Sequence, residues 1–278
     1  MTSVRLPADL SITVKRALQE DLGDGDITAQ LIDPETQASA HIFCREAAVL
    51  CGTPWADEVI GQLDDQISIQ WHAADGDLLN ADQKIASYQG SARSLLSAER
   101  CMLNFLQTLS GTATLSRKYA QQVAHTEVRL LDTRKTIPGL RTAQKYAVLT
   151  GGCFNHRMGL YDAFLIKENH INACGSITAA VTRARTLHPH KPVAVEVENL
   201  AQLQEALDIG ADTIMLDNFA LGLLYEAVAI TAGRVKLEAS GGINASTLVP
   251  IAETGVDYIS IGALTKDCKA IDLSMLFE

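Results

Sequence analysis

The sequence predicts an α/β protein whose C-terminal half winds parallel βα units into a barrel. Three observations carry that reading. Six short apolar runs follow Val128, at 128–132 (VRLLD), 163–167 (AFLIK), 193–197 (VAVEV), 213–217 (TIMLD), 235–239 (VKLEA) and 258–261 (YISI). Helical segments separate them near 142–150, 176–187, 200–209, 220–231 and 246–254. Such alternation implies parallel strands joined by right-handed helical crossovers. Next, residues of catalytic type close almost every run: Asp132-Thr133-Arg134-Lys135, Lys167-Glu168, Glu196, Asp217-Asn218, Ser240 and Gly262. A barrel gathers all its strand ends at one mouth, whereas an open sheet focuses its ligand at one switch point. Finally, aromatics make up only 5% of a chain that is 47% hydrophobic. Ala, Leu, Ile and Val therefore fill the core, as parallel strands covered on both faces require.

The elements follow in order. At 278 residues there is room for one large domain or two small ones. The N-terminus lacks an apolar core of signal-peptide length, and no stretch approaches the ~20 apolar residues that span a bilayer. A soluble, cytoplasmic protein is expected. Leu10 to Leu22 is amphipathic and helical. Residues 20–28 (EDLGDGDIT) carry Glu20, Asp21, Asp24 and Asp26, but their spacing misses an EF-hand and no glutamate closes it. A capped turn is the expectation there. Residues 38–90 hold short, mostly antiparallel strands, broken at Gly52-Thr53-Pro54, Asp75-Gly76-Asp77 and Gly90, with His41 and His72 in structural roles. From Ser94 to Ala124 a stripe of Leu95, Leu96, Met102, Leu103, Leu106 and Leu109 recurs at helical spacing, and Gly111 marks a break between two helices. The six cysteines (44, 51, 101, 153, 174 and 268) are scattered without a CxxC pair, so reduced thiols are expected rather than a zinc site or disulfides. Cys153 lies among basic residues, yet no other feature points to covalent chemistry there.

Charge is concentrated in one segment. The chain sums to −10, but residues 129–167 hold seven basic residues (Arg129, Arg134, Lys135, Arg141, Lys145, Arg157 and Lys167) against Asp132 and Asp162, a net of +5. Cations gathered in an acidic protein point to a small anionic ligand. A nucleic-acid binder spreads basic charge over a face, and a solvated basic face is the structural alternative. Arg134, Lys135 and Lys167 directly follow apolar runs, at the strand ends where α/β active sites are built. A guanidinium is a planar fork for carboxylate, while an ammonium is a point charge. Arg134, Arg157 and His156 therefore suit an organic di-acid, and Lys135 and Lys167 a pyrophosphate. Ser240-Gly241-Gly242 and Gly262-Ala263 follow the last two strands; they suit phosphate, or are ordinary tight βα turns. Glu196 and Asp217 end adjacent strands. Such acids accept from ribose hydroxyls, hold Mg²⁺ directly or through water, do acid–base work, or form structural ion pairs.

The runs DTRKTIPGLR, KYAV, GG and NHRMGLYDAFLIKENHI resemble the bacterial quinolinate phosphoribosyltransferases, also called nicotinate-nucleotide pyrophosphorylases (carboxylating). The resemblance extends to EDLGDGDIT, ERCMLNFLQTLSGTAT, EVEN, MLDNF, LEASGGI and ETGVDYISIGALT, covering nearly the whole chain. It implies an incomplete (β/α) barrel of fewer than eight parallel strands over 111–266, and an N-terminal α/β open sandwich over 1–110 on which the tail 267–278 packs. It implies transfer of a phosphoribosyl group from 5-phosphoribosyl-1-pyrophosphate to quinolinate, with Mg²⁺ and loss of CO₂. By the same resemblance Arg134, His156 and Arg157 hold the carboxylates of quinolinate, with Thr133 in the substrate-binding set. Lys135 and Lys167 lie near the substrate and pyrophosphate, and Glu196 and Asp217 are the ribose and metal-side acids. Ser240, Gly241, Gly242, Gly262 and Ala263 form the phosphate loops. Arg100, a surface residue beside Glu99 by spacing alone, reaches the partner subunit's active site in a homodimer or higher homo-oligomer. Neither nucleic acid nor a membrane is expected as a partner. The alternatives are a Schiff-base aldolase using Lys167, which the neighbouring cations favour and nothing else supports; a paralogue found beside molybdate transport systems, against which the intact TRKTIPGLR and NHRMGL motifs argue; and a non-catalytic sensor, against which the complete set of strand-end residues argues.

Overall fold

The computed structural model describes residues 4–278. In chain order its elements are α1 (Leu10–Leu22), β1 (Gln37–Cys44), β2 (Ala48–Val49), α2 (Thr53–Leu63), β3 (Ser68–Trp71), β4 (Leu78–Leu79), β5 (Gln83–Ser91) and α3 (Ala92–Gln122). Then come β6 (Arg129–Leu131), α4 (Arg141–Thr150), β7 (Phe164–Ile166), α5 (Glu168–Cys174), α6 (Ile177–Leu187), β8 (Val193–Val197), α7 (Leu200–Asp208), β9 (Thr213–Asp217) and α8 (Leu221–Thr231). The last five are β10 (Lys236–Ser240), α9 (Leu248–Ala252), β11 (Tyr258–Ser260), α10 (Ala263–Lys266) and β12 (Leu273–Phe277). The chain divides into two compact units. One holds the residues up to Arg117 together with Thr136–Gly152 and Leu264–Glu278; the other holds Lys118–Lys135 and Cys153–Ala263.

The first unit is built on a four-stranded antiparallel sheet in the order β12-β1-β5-β3. Alternation in β1 turns Ala40, Ile42 and Cys44 inward. The C-terminal strand β12 pairs with β1, from Ala40 opposite Phe277 to Cys44 opposite Leu273. His41 and His72 both reach the Ser87 hydroxyl, at 3.0 and 2.8 Å, which is a structural role. The Asp26 carboxylate accepts the N–H groups of Thr28 and Ala29, so residues 20–28 end in a capped turn.

Two expectations change in this unit. Gly52-Thr53-Pro54 breaks the strands, as expected, but what it opens is helix α2 rather than a turn. Proline is tolerated in a first helical turn, and the Asp75 carboxylate takes the N–H groups of Gly52 and Thr53. Trp55, Ala56, Val59 and Ile60 then bury one face. Gly111 does not break a helix, because α3 runs through it for 31 residues. A Cβ at 111 would lie 2.1 Å from the Lys269 carbonyl oxygen, so glycine admits the C-terminal segment against the helix. Its propensity penalty, about 1 kcal/mol, is small beside the burial of Leu103, Leu106 and Leu109. Residues 110 and 111 lie within α3. Residues 136–152 also join the first unit, held by Arg117 to Gly151 at 3.0 Å and by Gln144 to Thr265 at 2.9 Å.

The second unit holds a six-stranded parallel sheet in the order β6-β11-β10-β9-β8-β7. Read as a ring, that order is the order of the chain. It is the topology of a barrel opened between its first and second strands, not of a doubly wound sheet, which starts near its middle. At the opening, Phe154 makes one parallel bridge to Leu131. Ser176 and Asn199 cap α6 and α7 through their side chains. The short α5 was not foreseen; it is seven residues long and buries none of them, so it leaves no apolar stripe to detect.

Candidate active site

Parallel strands place all six carboxyl ends at one mouth, and register decides which side chains share it. In β8, Val193, Val195 and Val197 are fully buried on one face, leaving Ala194 and Glu196 on the other. Glu196 is opposite Met215, Met215 opposite Glu238, and Glu238 opposite Tyr258. One step higher, Asp217 is opposite Ser240. Paired residues point to the same face, so the acids of β8, β9 and β10 share the lumen side with Ser240.

Each acid has a defined partner. Glu196 forms an ion pair with Lys167, which directly follows β7. Asp217 accepts from the Ser240 hydroxyl at 2.9 Å and from the Asn218 amide at 2.9 Å. Both carboxylates are thus oriented by donors while staying partly open. Gly241 follows at φ +90°, where a Cβ would fall 2.1 Å from Asn218 Oδ1. The glycine lets two neighbouring βα loops touch. Gly262 and Ala263 lie just beyond β11, and Ile261 donates to the Leu131 carbonyl at 2.8 Å.

The cations enter on a second set of contacts. Phe154 exchanges backbone hydrogen bonds with Leu130 and Asp132, and buried Asp132 accepts the His156 N–H at 2.8 Å. This pins 154–156 to the end of β6, beside Thr133, Arg134 and Lys135. The Thr133 hydroxyl accepts the Lys135 N–H at 3.1 Å. Arg157 Nη1 donates to the Ala163 carbonyl at 2.9 Å. Asp162 closes the same loop by accepting the Met158 N–H at 2.9 Å. Burial, and then repulsion from Arg134, pull the Arg157 guanidinium below its usual range, with Asp162 offsetting part of the effect. Arg134 and Arg157 put two guanidinium forks in the same unit, each able to take a carboxylate.

Thr133, Arg134, Lys135, His156, Arg157, Lys167, Glu196, Asp217, Ser240, Gly241, Gly242, Gly262 and Ala263 all belong to the second unit. Arg100 does not. It stands on α3 in the first unit, 58% exposed, with Glu99 3.9 Å away. Two residues of this mouth were given no role from sequence. Asp132 was seen only as a strand-end acid. Glu238 was hidden within the run VKLEA, although an acid two residues before Ser240 must share its face.

Comparison with known proteins agrees with this geometry. Residues 26–110 match the family model described as the N-terminal domain of quinolinate phosphoribosyl transferase, and residues 112–276 match that of its C-terminal domain. A probable nicotinate-nucleotide pyrophosphorylase [carboxylating] of Bacillus subtilis is 43% identical, over 92% of this chain and 89% of its own. A quinolinate phosphoribosyltransferase [decarboxylating] of Nicotiana tabacum is 39% identical, over 97% of this chain and 83% of its own. The solved nicotinate-nucleotide pyrophosphorylase of Francisella tularensis superposes with a TM-score of 0.94 at 49% identity, over 99% of this chain and 98% of that one. An opened six-stranded barrel, its mouth of arginines, lysines and acids, and a match across both domains lead to one assignment: the chain belongs to the quinolinate phosphoribosyltransferase family.

Proposed function

We propose that this chain transfers a phosphoribosyl group from 5-phosphoribosyl-1-pyrophosphate to quinolinate, releasing pyrophosphate and CO₂ and giving nicotinate mononucleotide for NAD biosynthesis. The observation that carries the reading is the family match across both domains, with two guanidinium groups, Arg134 and Arg157, in the unit that holds the acids of the barrel mouth. Quinolinate is a di-acid, and its two carboxylates answer those two forks.

The chain's residues divide the work. Lys135 and Lys167 stabilise the departing pyrophosphate. Glu196 and Asp217 face the ribose, where C1 gains positive charge as its bond to pyrophosphate breaks. The quinolinate nitrogen attacks C1 and becomes a pyridinium. The bond from C2 to its carboxylate then breaks, CO₂ leaves, and the electron pair remains beside the positive nitrogen until a proton arrives. No protein nucleophile is required, and the protein contributes positioning and charge.

Mg²⁺ belongs to the proposal. Among the described residues no group of three or more His, Cys, Asp or Glu forms a metal cage. Two oriented carboxylates at the mouth fit a Mg²⁺ held mainly by phosphate oxygens and water, with Glu196 and Asp217 around it. When bound, it neutralises charge on the pyrophosphate. A homodimer or higher homo-oligomer, with Arg100 reaching the partner's active site, is part of the same reading; the exposed Arg100 side chain supports it. So is a cytoplasmic setting, which suits six cysteines that are all free.

The test is an assay of purified protein with quinolinate, 5-phosphoribosyl-1-pyrophosphate and Mg²⁺, following mononucleotide and CO₂ together, with nicotinate as a parallel acceptor. Mononucleotide with equimolar CO₂ from quinolinate alone is expected. A folded protein that yields no product from either acceptor would overturn the reading.

A further inference from the structure

One carboxylate at the barrel mouth serves none of the roles above. Glu238 is 2% exposed and lies one residue pair below Asp217 and Ser240 on the lumen face. Its Oε2 is 3.4 Å from His156 Nε2, and its Oε1 is buried without a hydrogen-bond partner. A carboxylate buried that way is costly to keep, which raises the question of what it does for its neighbours.

The imidazole beside it has one workable protonation pattern. The Arg157 N–H is directed at His156 Nδ1, 2.8 Å away, so Nδ1 must offer a lone pair. The ring proton then resides on Nε2, facing Glu238. The His156 N–H is held by Asp132 Oδ1 at 2.8 Å, and Arg134 and Asp162 are the other charged groups that act on Arg157. Both ring nitrogens are therefore engaged by protein groups.

We infer that Glu238 is a positioning residue for the di-acid site: it holds His156 as the Nε2–H tautomer, so that Nδ1 takes the Arg157 N–H and fixes the backbone from which the Arg157 guanidinium meets a substrate carboxylate. The inference rests on the reading of Arg157 as a quinolinate contact.

Two substitutions separate this role from plain packing. Glu238→Gln keeps an oxygen that accepts from Nε2–H, and Glu238→Leu keeps bulk but loses the acceptor. Steady-state kinetics with each substrate varied should show the KM for quinolinate within about 3-fold of wild type in E238Q. In E238L it should rise by about 10-fold or more, the equivalent of one lost hydrogen bond. The KM for phosphoribosyl pyrophosphate should stay within about 2-fold in both, since Arg157 does not serve that ligand. Equal rises in both constants, or no rise in a folded E238L, would overturn the inference. A second measurement needs no Glu238 variant. In wild-type protein labelled with ¹⁵N-histidine, with His156 identified by its loss in His156→Asn, the neutral imidazole should carry its proton on Nε2, with Nδ1 bare. A neutral ring protonated on Nδ1 overturns the inference. A wild-type chain without turnover would instead sink the functional reading, leaving the tautomer measurement to decide the Glu238–His156 pairing.

Discussion

Replacing Gly241 with alanine tests how the loop after β10 is built. The residue sits at φ +90°, and a Cβ there falls 2.1 Å from Asn218 Oδ1, 2.5 Å from its Cγ and 3.0 Å from its backbone nitrogen. The left-handed backbone costs an alanine roughly 1–2 kcal/mol. The clash is relieved if the Asn218 side chain swings away, which breaks its bond to Asp217 and costs about 1–2 kcal/mol more at this exposed position. The sum is roughly 2–4 kcal/mol, which lowers Tm by roughly 4–16 °C for a domain of this size. Gly242 is an internal control: at φ +61° its Cβ would meet nothing within 4 Å. Gly242→Ala therefore loses only the backbone part, roughly 1–2 kcal/mol. Thermal unfolding followed by circular dichroism gives both values. Kinetics add a second readout, because a displaced Asn218 frees Asp217. The KM for phosphoribosyl pyrophosphate should rise by about 10-fold in Gly241→Ala, with the quinolinate KM nearly unchanged. Equal melting temperatures for the two variants would refute the close-approach argument.

Other perturbations address the charges. Arg134→Ala and Arg157→Ala should each raise the KM for quinolinate and lower kcat/KM by about 10²-fold or more, as loss of a charged contact to a di-acid does; unchanged steady-state kinetics in both would remove the di-acid site. Quinolinate alone should stabilise the wild-type protein by about 2.7 kcal/mol at a hundred times its Kd, read as a Tm shift that vanishes in Arg157→Ala. Chelation with EDTA should abolish turnover and leave the melting curve in place, since no protein-only metal cage contributes to the fold among the described residues; a large Tm drop on chelation would count against a metal carried in by phosphates. A limiting maleimide at neutral pH should label exposed Cys174 first, as mass spectrometry of peptides would show. Buried Cys101 should resist it, because desolvation, with Asp21 and Glu20 adding to it, pushes that thiol up to about 11.

The barrel was legible because its signal is repetitive. Six apolar runs spaced by helices leave few topologies, and residues 193–197, 213–217 and 258–261 lie at their strands within a residue. The first unit was harder for a physical reason. Helix α2 begins at Gly-Thr-Pro, a sequence that equally marks a turn, and only the Asp75 carboxylate, more than twenty residues away, selects the helix start. Gly111 misled in the same way. Its local preference is for a break, but a carbonyl from the far end of the chain decides the matter. Long-range contacts override local propensity at both places.

At the mouth, residue type was legible and pairing was not. Sequence order shows that Lys167 and Glu196 end successive runs, but register shows that they meet. Glu238 was invisible because one acid inside an apolar run looks like an exposed edge residue until its neighbours are known. The charge pattern carries the argument one step further. With +5 in residues 129–167 and −10 overall, the rest of the chain sums to −15, yet the proposed substrates are anions. At physiological ionic strength charges are screened over about 8 Å. An anion approaching the mouth thus responds to the groups that line it, the cations Arg134, Lys135, Arg157 and Lys167 with the acids Glu196 and Asp217, rather than to acids elsewhere on the chain. Arg134 and Arg157 offer that anion two bidentate guanidinium forks within an otherwise acidic chain, so cations concentrated in one segment can serve an anionic ligand that the net charge alone would repel.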